Sequence, residues 1–182
     1  MCPSIPSTGP TTIPPANPWR PMRADDLDRV VAVAAQLHPD YPERRDVLDE
    51  RRRLCPPGCL ILPDARGNPG GYVLSHPGRI ASPPALDTYL HTLPEQPDCW
   101  YIHDIAILPA LRGQGATRDA LQIVTGRARQ HGLHWLALMA TPAARGLWTH
   151  LGFTPIADIP PHIAATYGSE ACPMRRPLSP GT

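Results

Sequence analysis

The feature that most constrains the fold is an apolar run followed at once by a glycine-rich loop and a long amphipathic segment. Residues 100–108, WYIHDIAIL, are rich in β-branched and aromatic side chains, which predicts a strand. The stretch LPALRGQGAT, residues 108–117, sets two glycines around a glutamine, which predicts a tight turn. Residues 115–132 predict a helix that ends at Gly132. Its apolar stripe consists of Ala120, Leu121, Val124 and Ala128.

The rest of the chain alternates between strand and helix patterns. The first predicted helix has Asp25 and Asp26 in its first turn and ends before Pro39. Further helices are predicted over PERRDVLDERRRL (42–54) and PAARGLWTHLG (142–152). Residues 77–98 have the composition of a loop, with one helical turn at 86–93. The further predicted strands are 19–22, 59–64, 71–76, 133–140, 153–158 and 172–178. This order predicts a mixed chain with helices packed on a mainly antiparallel sheet.

Length and composition limit the classes of function. The 182 residues predict one domain over 19–182, and the Pro-, Ser- and Thr-rich residues 1–18 predict a disordered tail. A net charge of +1 gives no support for a nucleic-acid partner. No apolar run approaches the roughly 18 residues of a membrane span, and no secretory leader precedes the five cysteines, so we expect a cytoplasmic protein.

No metal site is predicted. The cysteines of Cys55-Pro-Pro-Gly-Cys59 lack the spacing of a zinc pair, and no second pair follows. The histidines His38, His76, His91, His131, His134 and His162 share no spacing and are interpreted as surface or loop residues.

The glycine loop is suited to bind an anion. Backbone N–H groups at a helix start attract negative charge, and glycines let the backbone approach a ligand closely. Arg112 could add a charged contact to a phosphate. A tight turn without a ligand is the alternative. The loop is not a P-loop, because no Gly-Lys-Ser/Thr follows, and it lacks the third glycine of a dinucleotide fingerprint.

At this loop the sequence resembles the GNAT acyltransferase superfamily, in which Arg/Gln-x-x-Gly-x-Gly/Ala opens a helix over the pyrophosphate of acyl-coenzyme A. Arg112 and Gly115 match this motif, and Thr117 stands in place of the final Gly/Ala. The segments HDIAILPALRGQG and ARGLWTHLGFTPI and the tail YGSEACPMRRPL resemble later parts of the same family. The resemblance implies an α/β fold with a mixed, mainly antiparallel, twisted sheet of about seven strands and about four helices.

The resemblance also implies a binding site for acetyl-CoA, as co-substrate. The backbone of Ile105, Ala106 and Ile107 would bind the pantetheine arm like an added strand, beside a bulge. An N–H near Ala106 would polarise the thioester carbonyl. The pyrophosphate would lie on Arg112, Gly113, Gln114, Gly115, Ala116 and Thr117.

His103 is the predicted general base, because histidine is the side chain that ordinarily changes charge near physiological pH and because its position resembles that of a catalytic histidine in the family. A structural histidine is the alternative. Tyr101 shares a strand face with His103 and is a second catalytic candidate, whereas Asp104 should face away unless a bulge turns it. Many members carry a tyrosine acid where this chain has Trp148, whose indole is no useful acid. Tyr101, His150 or water would then supply the proton, or the thiolate would leave unassisted. Trp148 and Thr141, which replaces an asparagine of the family, are the remaining predicted contacts of the coenzyme, with burial in the core as the alternative for Trp148.

The resemblance therefore implies an N-acetyltransferase that acts on a primary amine of a small molecule or peptide N-terminus. The acceptor is expected to enter beside residues 77–98. Trp148 and Thr117 motivate an alternative, a catalytically silent acyl-CoA-binding or sensing module. The sequence also leaves open whether the acyl donor has a longer chain and whether the protein forms a homodimer.

Overall fold

The computed structural model describes residues 18–157, 159–168 and 170–178. Within these residues, one sheet of seven strands has the order β1-β2-β3-β4-β5-β7-β6. All neighbouring strands are antiparallel except β4 and β5, which are parallel. The expected α/β architecture with a mainly antiparallel sheet is confirmed. The strands are β1 Arg20–Pro21, β2 Cys59–Pro63, β3 Pro69–Gly78, β4 Cys99–Ile107, β5 Trp135–Ala140, β6 Thr154–Pro155 and β7 Cys172–Pro177.

Five helices occur in the described residues, one more than the sequence predicts. They are α1 Leu27–Leu37, α2 Arg45–Leu54, α3 Ala116–Gln130, α4 Arg145–His150 and α5 Pro161–Ala164. The additional helix α5 has four residues, too few to show a helical periodicity, and it begins with a proline, which suits a first helical position. Most of the predicted tail, residues 1–17, lies outside the described residues.

The helical turn predicted at 86–93 is absent. Instead, the backbone N–H groups of Leu90 and His91 donate hydrogen bonds of 2.7 and 3.0 Å to the carboxylate of Glu50 on α2. These bonds satisfy two backbone N–H groups of the loop without a helix. The loop between β3 and β4, called the strap below, therefore lies across α2.

Helices cover both faces of the sheet. The predicted stripe of α3 is buried in the larger core, together with Trp100 and Ile102 of β4. On the opposite face, Leu27, Val30 and Val33 of α1 and Leu48 of α2 pack with Tyr72 and Ala106. Burial of apolar surface on both sides makes β4 the central strand of the domain.

The pairing of β4 changes at His103. Leu74 of β3 pairs with Asp104, but the next residue, Ser75, pairs with Ile102, so His103 is an extra residue in β4. This is a β-bulge. On the other edge, β4 pairs with β5 only over Trp100, Tyr101 and Ile102. The two parallel strands therefore separate at the position of the bulge.

Candidate active site

A cavity of about 930 Å³ occupies the space where β4 and β5 separate. This volume is in the range of sites for cofactors and drug-sized ligands. The predicted site residues that line it are His103, Ile105, Ala106, Ile107, Arg112, Gly113, Gly115, Ala116, Thr117, Thr141 and Trp148. Tyr101 and Gln114 do not line it, and on the side of α1 the wall is formed by residues 37–41, not by the strap at 77–98.

The glycine loop has the geometry of an anion site. Gly113 and Gly115 have φ angles of 78° and 83°, a region that side chains with a Cβ rarely adopt. Gly115 is the N-cap of α3, and none of the side chains that the structure describes caps the helix, so the N–H groups of its first turn are available to a ligand. The Arg112 Nε donates a hydrogen bond of 2.8 Å to the carbonyl of Ile107, which holds the guanidinium at the loop.

The backbone of β4 beyond the bulge is suited to bind an extended ligand. Ile105, Ala106 and Ile107 pair with β3 on one edge. Pairing with β5 has already ended at Ile102. An extended chain that entered the cavity could therefore hydrogen-bond to the second edge of β4 as an added strand does.

The bulge turns His103 and Asp104 to the same face of the sheet. Ile102 and Ile105, on either side of them, both pack in the core beneath α3. His103 and Asp104 instead contact residues that precede α2, that end α1 or that lie on β3. Strict alternation would have placed one of the two on each face, so the single extra residue brings an imidazole and a carboxylate together.

His103 is held by Glu43, a residue that sequence reasoning missed. The His103 Nε2 lies 2.8 and 2.9 Å from the two carboxylate oxygens of Glu43. Burial favours a neutral Glu43, but His103 and then Arg51 outweigh it and lower the pKa of Glu43 to about 2. Because the carboxylate stays ionised, it accepts a hydrogen bond from Nε2–H, and the buried Nδ1 has no hydrogen-bond partner among the described residues. The 60 residues between the partners explain why no motif revealed the pair.

His38, interpreted from the sequence as a surface or loop residue, lines the cavity. Its Nε2 lies 3.3 Å from Asp104 Oδ1, and the other oxygen of Asp104 accepts a hydrogen bond from the Tyr72 hydroxyl. The interaction with Asp104 outweighs burial and raises the pKa of His38. The cavity therefore has two histidine–carboxylate pairs.

Tyr101 lies on the far side of the bulge from the cavity. Its side chain is fully buried, which together with the neighbouring Tyr167 raises its pKa well above the ordinary value. The two hydroxyls interact, but the Tyr101 hydroxyl forms no hydrogen bond of normal geometry. Opposite Tyr101 on β3, burial lowers the pKa of His76 to about 3, so that this histidine stays neutral.

Trp148 and Thr141 form the wall opposite β4. Trp148 is almost fully buried and packs edge-on against Phe153, with 5.2 Å between ring centroids. The carbonyl of Thr141 accepts hydrogen bonds from the N–H groups of Ala144 and Arg145, and so precedes the first turn of α4. Both residues therefore shape the cavity as well as supporting the fold around α4.

Residues 18–157, 159–168 and 170–178 contain no cluster of three or more His, Cys, Asp or Glu side chains able to hold a metal ion. Burial raises the pKa values of Cys55 and Cys59, the latter to about 12. In the same ranges, no helix has the length and apolar character needed to cross a membrane.

The separated strands, the uncapped helix start and the adjacent histidine define a domain of the kind that binds acyl-CoA. Residues 24–153 match the model of the Acetyltransferase (GNAT) family, and the chain therefore belongs to that family of acyl-CoA-dependent transferases. A comparison with curated proteins finds no match.

Solved structures share the fold at low sequence identity. GphF, a GNAT-like decarboxylase in complex with isobutyryl-CoA, has a TM-score of 0.71 and 16% identity over 88% of this chain and 98% of its own. The NatC complex bound to Gag peptide and CoA has a TM-score of 0.66 and 16% identity, and the match covers 88% of this chain and 98% of that chain. The phosphinothricin acetyltransferase of Sinorhizobium meliloti in complex with AcCoA has a TM-score of 0.58 and 20% identity over 90% and 89%.

Proposed function

We propose that the protein transfers an acetyl group from acetyl-CoA to a primary amine, by direct attack within a ternary complex. The observation that carries the proposal is the continuity of the cavity. It runs from the uncapped start of α3, along the open edge of β4, to the bulge that presents His103 and Asp104. One wall thus combines an anion site, a strand edge and a histidine base.

The residues present fit acetyl-CoA, which supplies an activated acyl group as a thioester. Arg112, Gly113 and the N–H groups of residues 115–117 would hold the pyrophosphate. The Gln114 side chain has no part in this proposal, since it does not line the cavity. Ile105, Ala106 and Ile107 would hold the pantetheine arm through their backbone, and the N–H of Ala106 would donate to the thioester carbonyl.

His103 is the proposed base. Glu43 fixes the orientation of its ring, so that a proton from the acceptor nitrogen is taken up at Nδ1. Tyr101 has no catalytic role in this proposal, because its side chain is buried outside the cavity and would not touch the substrate. The thiolate leaves without a protein acid, since a thiol with an ordinary pKa of about 8.5 is a tolerable leaving group. Cytoplasmic location and dimerisation stay predictions.

A catalytically silent acyl-CoA-binding module is the second candidate. It is favoured by the burial of both ring nitrogens of His103, one bound by Glu43 and the other without a partner. Turnover of amines by the purified protein separates the two candidates.

Calorimetric titration with acetyl-CoA tests the shared first step. We expect micromolar binding by the wild type and its loss in Gly115→Glu, where a carboxylate enters the anion site. Gly115→Asn, whose side chain tolerates positive φ and adds no charge, should bind more weakly than wild type but measurably.

The matched control is Gly126→Glu, the same substitution in the middle of α3, where a Cβ would meet no atom within 4 Å. This variant should bind like the wild type. Equal binding by the two glutamate variants, or no binding by the folded wild type, would show that the loop is only a turn.

A further inference from the structure

The charged side chains of the cavity are divided between its two ends. At the glycine loop the charged residues are Arg112 and Arg118. Around the bulge and the end of α1, the acidic residues that line the wall are Asp40 and Asp104. The end at which an acceptor would meet His103 is therefore acidic, whereas the phosphate-binding end is basic.

Both carboxylates are accessible at the acidic end. Asp40 is exposed, in the turn that follows α1, and no ion pair of Asp40 occurs in the part of the chain that the structure describes. Asp104 is held by Tyr72 and His38, yet 21% of its side chain remains exposed. His38, when protonated, balances the charge of Asp104 but leaves that of Asp40.

The arginines near this end cannot serve as partners for an acceptor carboxylate. Arg51 is fully buried, lies 3.8 Å from Glu43 and does not line the cavity. Arg112 is within electrostatic range of His38, but its Nε is bound to the carbonyl of Ile107, at the loop proposed for the pyrophosphate. Among the described residues, the basic side chains that face the acidic end are thus His38 and His103, and each is already paired with a carboxylate, Asp104 and Glu43 respectively.

The remaining wall at this end is apolar or aromatic. Leu37, Pro39, Tyr41 and Met139 surround the space next to the bulge. Such a wall can accommodate an uncharged side chain or alkyl group beside the reacting nitrogen.

We propose that the acceptor is a cationic primary amine whose neighbouring group is uncharged, as in a peptide N-terminus or an alkylamine, and that Asp40 and Asp104 select it against free amino acids. An α-carboxylate next to the reacting amine would lie among like charges with no cation available to pair with it. This inference rests on the proposed acetyl transfer.

The test compares acceptors with and without this charge. Loss of the carboxylate also changes the basicity of the amine, lowering it from leucine to leucinamide and raising it from tyrosine to tyramine, so only a preference shown by both pairs supports selection by charge. Leucinamide and leucine, and tyramine and tyrosine, are assayed with acetyl-CoA by release of free thiol. We expect kcat/KM to be at least ~10-fold higher for the uncharged member of each pair, as expected for one screened like-charge contact. The ratio should shrink at high salt.

Asp40→Asn is the decisive variant, because the side chain is exposed and supports no contact that the fold needs. It should lower the preference for leucinamide over leucine several-fold and leave acetyl-CoA binding unchanged. Asp40→Arg should lower it further. Asp25→Asn, an exposed aspartate outside the cavity, is the matched control and should keep the wild-type ratio.

The possible outcomes distinguish a failure of the proposed charge selection from a failure of the proposed acetyl transfer. If acetyl-CoA binds and both members of a pair react equally, the selection by charge is wrong and acetyl transfer stands. If acetyl-CoA binds but no amine in the panel reacts, this inference fails and the silent module is favoured. Absence of acetyl-CoA binding would remove the proposed function together with the inference.

Discussion

The two halves of β4 have the same strand geometry but opposite relations to their surroundings. From Cys99 to Ile102 the strand pairs with β3 and, over its last three residues, with β5, and every side chain is at most 3% exposed. From His103 to Ile107 it pairs with β3 alone and borders the cavity. One strand thus belongs first to the packed core and then to the wall of the cavity. Separation of β5 from β4 leaves the second half with an open edge.

The largest expected difference between the halves is in stability. Trp100 is fully buried, and its indole N–H donates a hydrogen bond of 2.9 Å to Ser75. Trp100→Ala should lower the free energy of unfolding by about 3–5 kcal/mol, measured by urea denaturation. Ile105→Ala, in the half that borders the cavity, should cost only about 1–2 kcal/mol. Equal losses would contradict the division of β4 into core and site.

The second prediction concerns catalysis in the open half. Glu43→Gln keeps the shape of the side chain but removes the charge that orients His103, and should lower kcat about 100-fold if His103 is the base. The acetyl-CoA affinity should change little, since Glu43 does not line the cavity. Glu95→Gln, an exposed position in the strap, is the control. A Glu43→Gln enzyme with wild-type kcat and pH profile would assign the base elsewhere, with the pair His38–Asp104 as the next candidate.

A third prediction concerns the pH dependence of stability. His76 lies on β3 opposite the packed half of β4, and burial lowers its pKa from 6.5 to about 3. The unfolded chain therefore takes up a proton at His76 below about pH 6.5, which the folded protein does only near pH 3. Stability from this group is present above pH 6.5 and is lost as the pH falls towards 3, by about 2 kcal/mol at pH 5. His76→Asn should reduce the fall in unfolding free energy between pH 7 and 5.

The smallest effect is expected at His38, at the edge of the cavity. Asp104 raises the pKa of His38 above 6.5, so the stabilising interaction is present below about pH 6.5 and is lost as the pH rises through the folded-state pKa. Because both side chains are partly exposed, His38→Gln should cost less than about 1 kcal/mol at pH 6. Denaturation at pH 6 and 9 should show the difference only at the lower pH. A large loss at both values would mean that His38 acts through packing rather than charge.

Local patterns in the sequence were sufficient to predict most of the fold. The stripe of α3, the glycine at the helix start and the apolar strands each depend on neighbouring residues, and each is found where predicted. The strap at 77–98 was harder to predict, because its conformation depends on hydrogen bonds to Glu50, some 40 residues away. Short elements such as α5 carry too few residues for a periodic signal.

The site was predictable on the side of the glycine loop and less so on the side of the acceptor. Arg112, Gly113 and Gly115 belong to one contiguous motif, and all of them line the cavity. Glu43 and His38 reach β4 from before α2 and from the end of α1, so only tertiary packing reveals that they meet His103 and Asp104. Alternation predicts that Tyr101 shares a face with His103, and their ring centroids lie 6.4 Å apart. Tyr101 nevertheless lies outside the cavity, because its part of β4 still pairs with β5.

The extra residue at His103 shifts the alternation of side chains along β4 by one position. Residues before and after it keep the ordinary inward–outward alternation, but the two alternations are out of phase by one position. A point substitution at His103 alters one side chain, whereas its deletion would leave Asp104 in regular alternation with Ile102 and every remaining side chain on its present face. The bulge therefore works as a local insertion: it adds an imidazole beside Asp104 without changing which residues of β4 face α3.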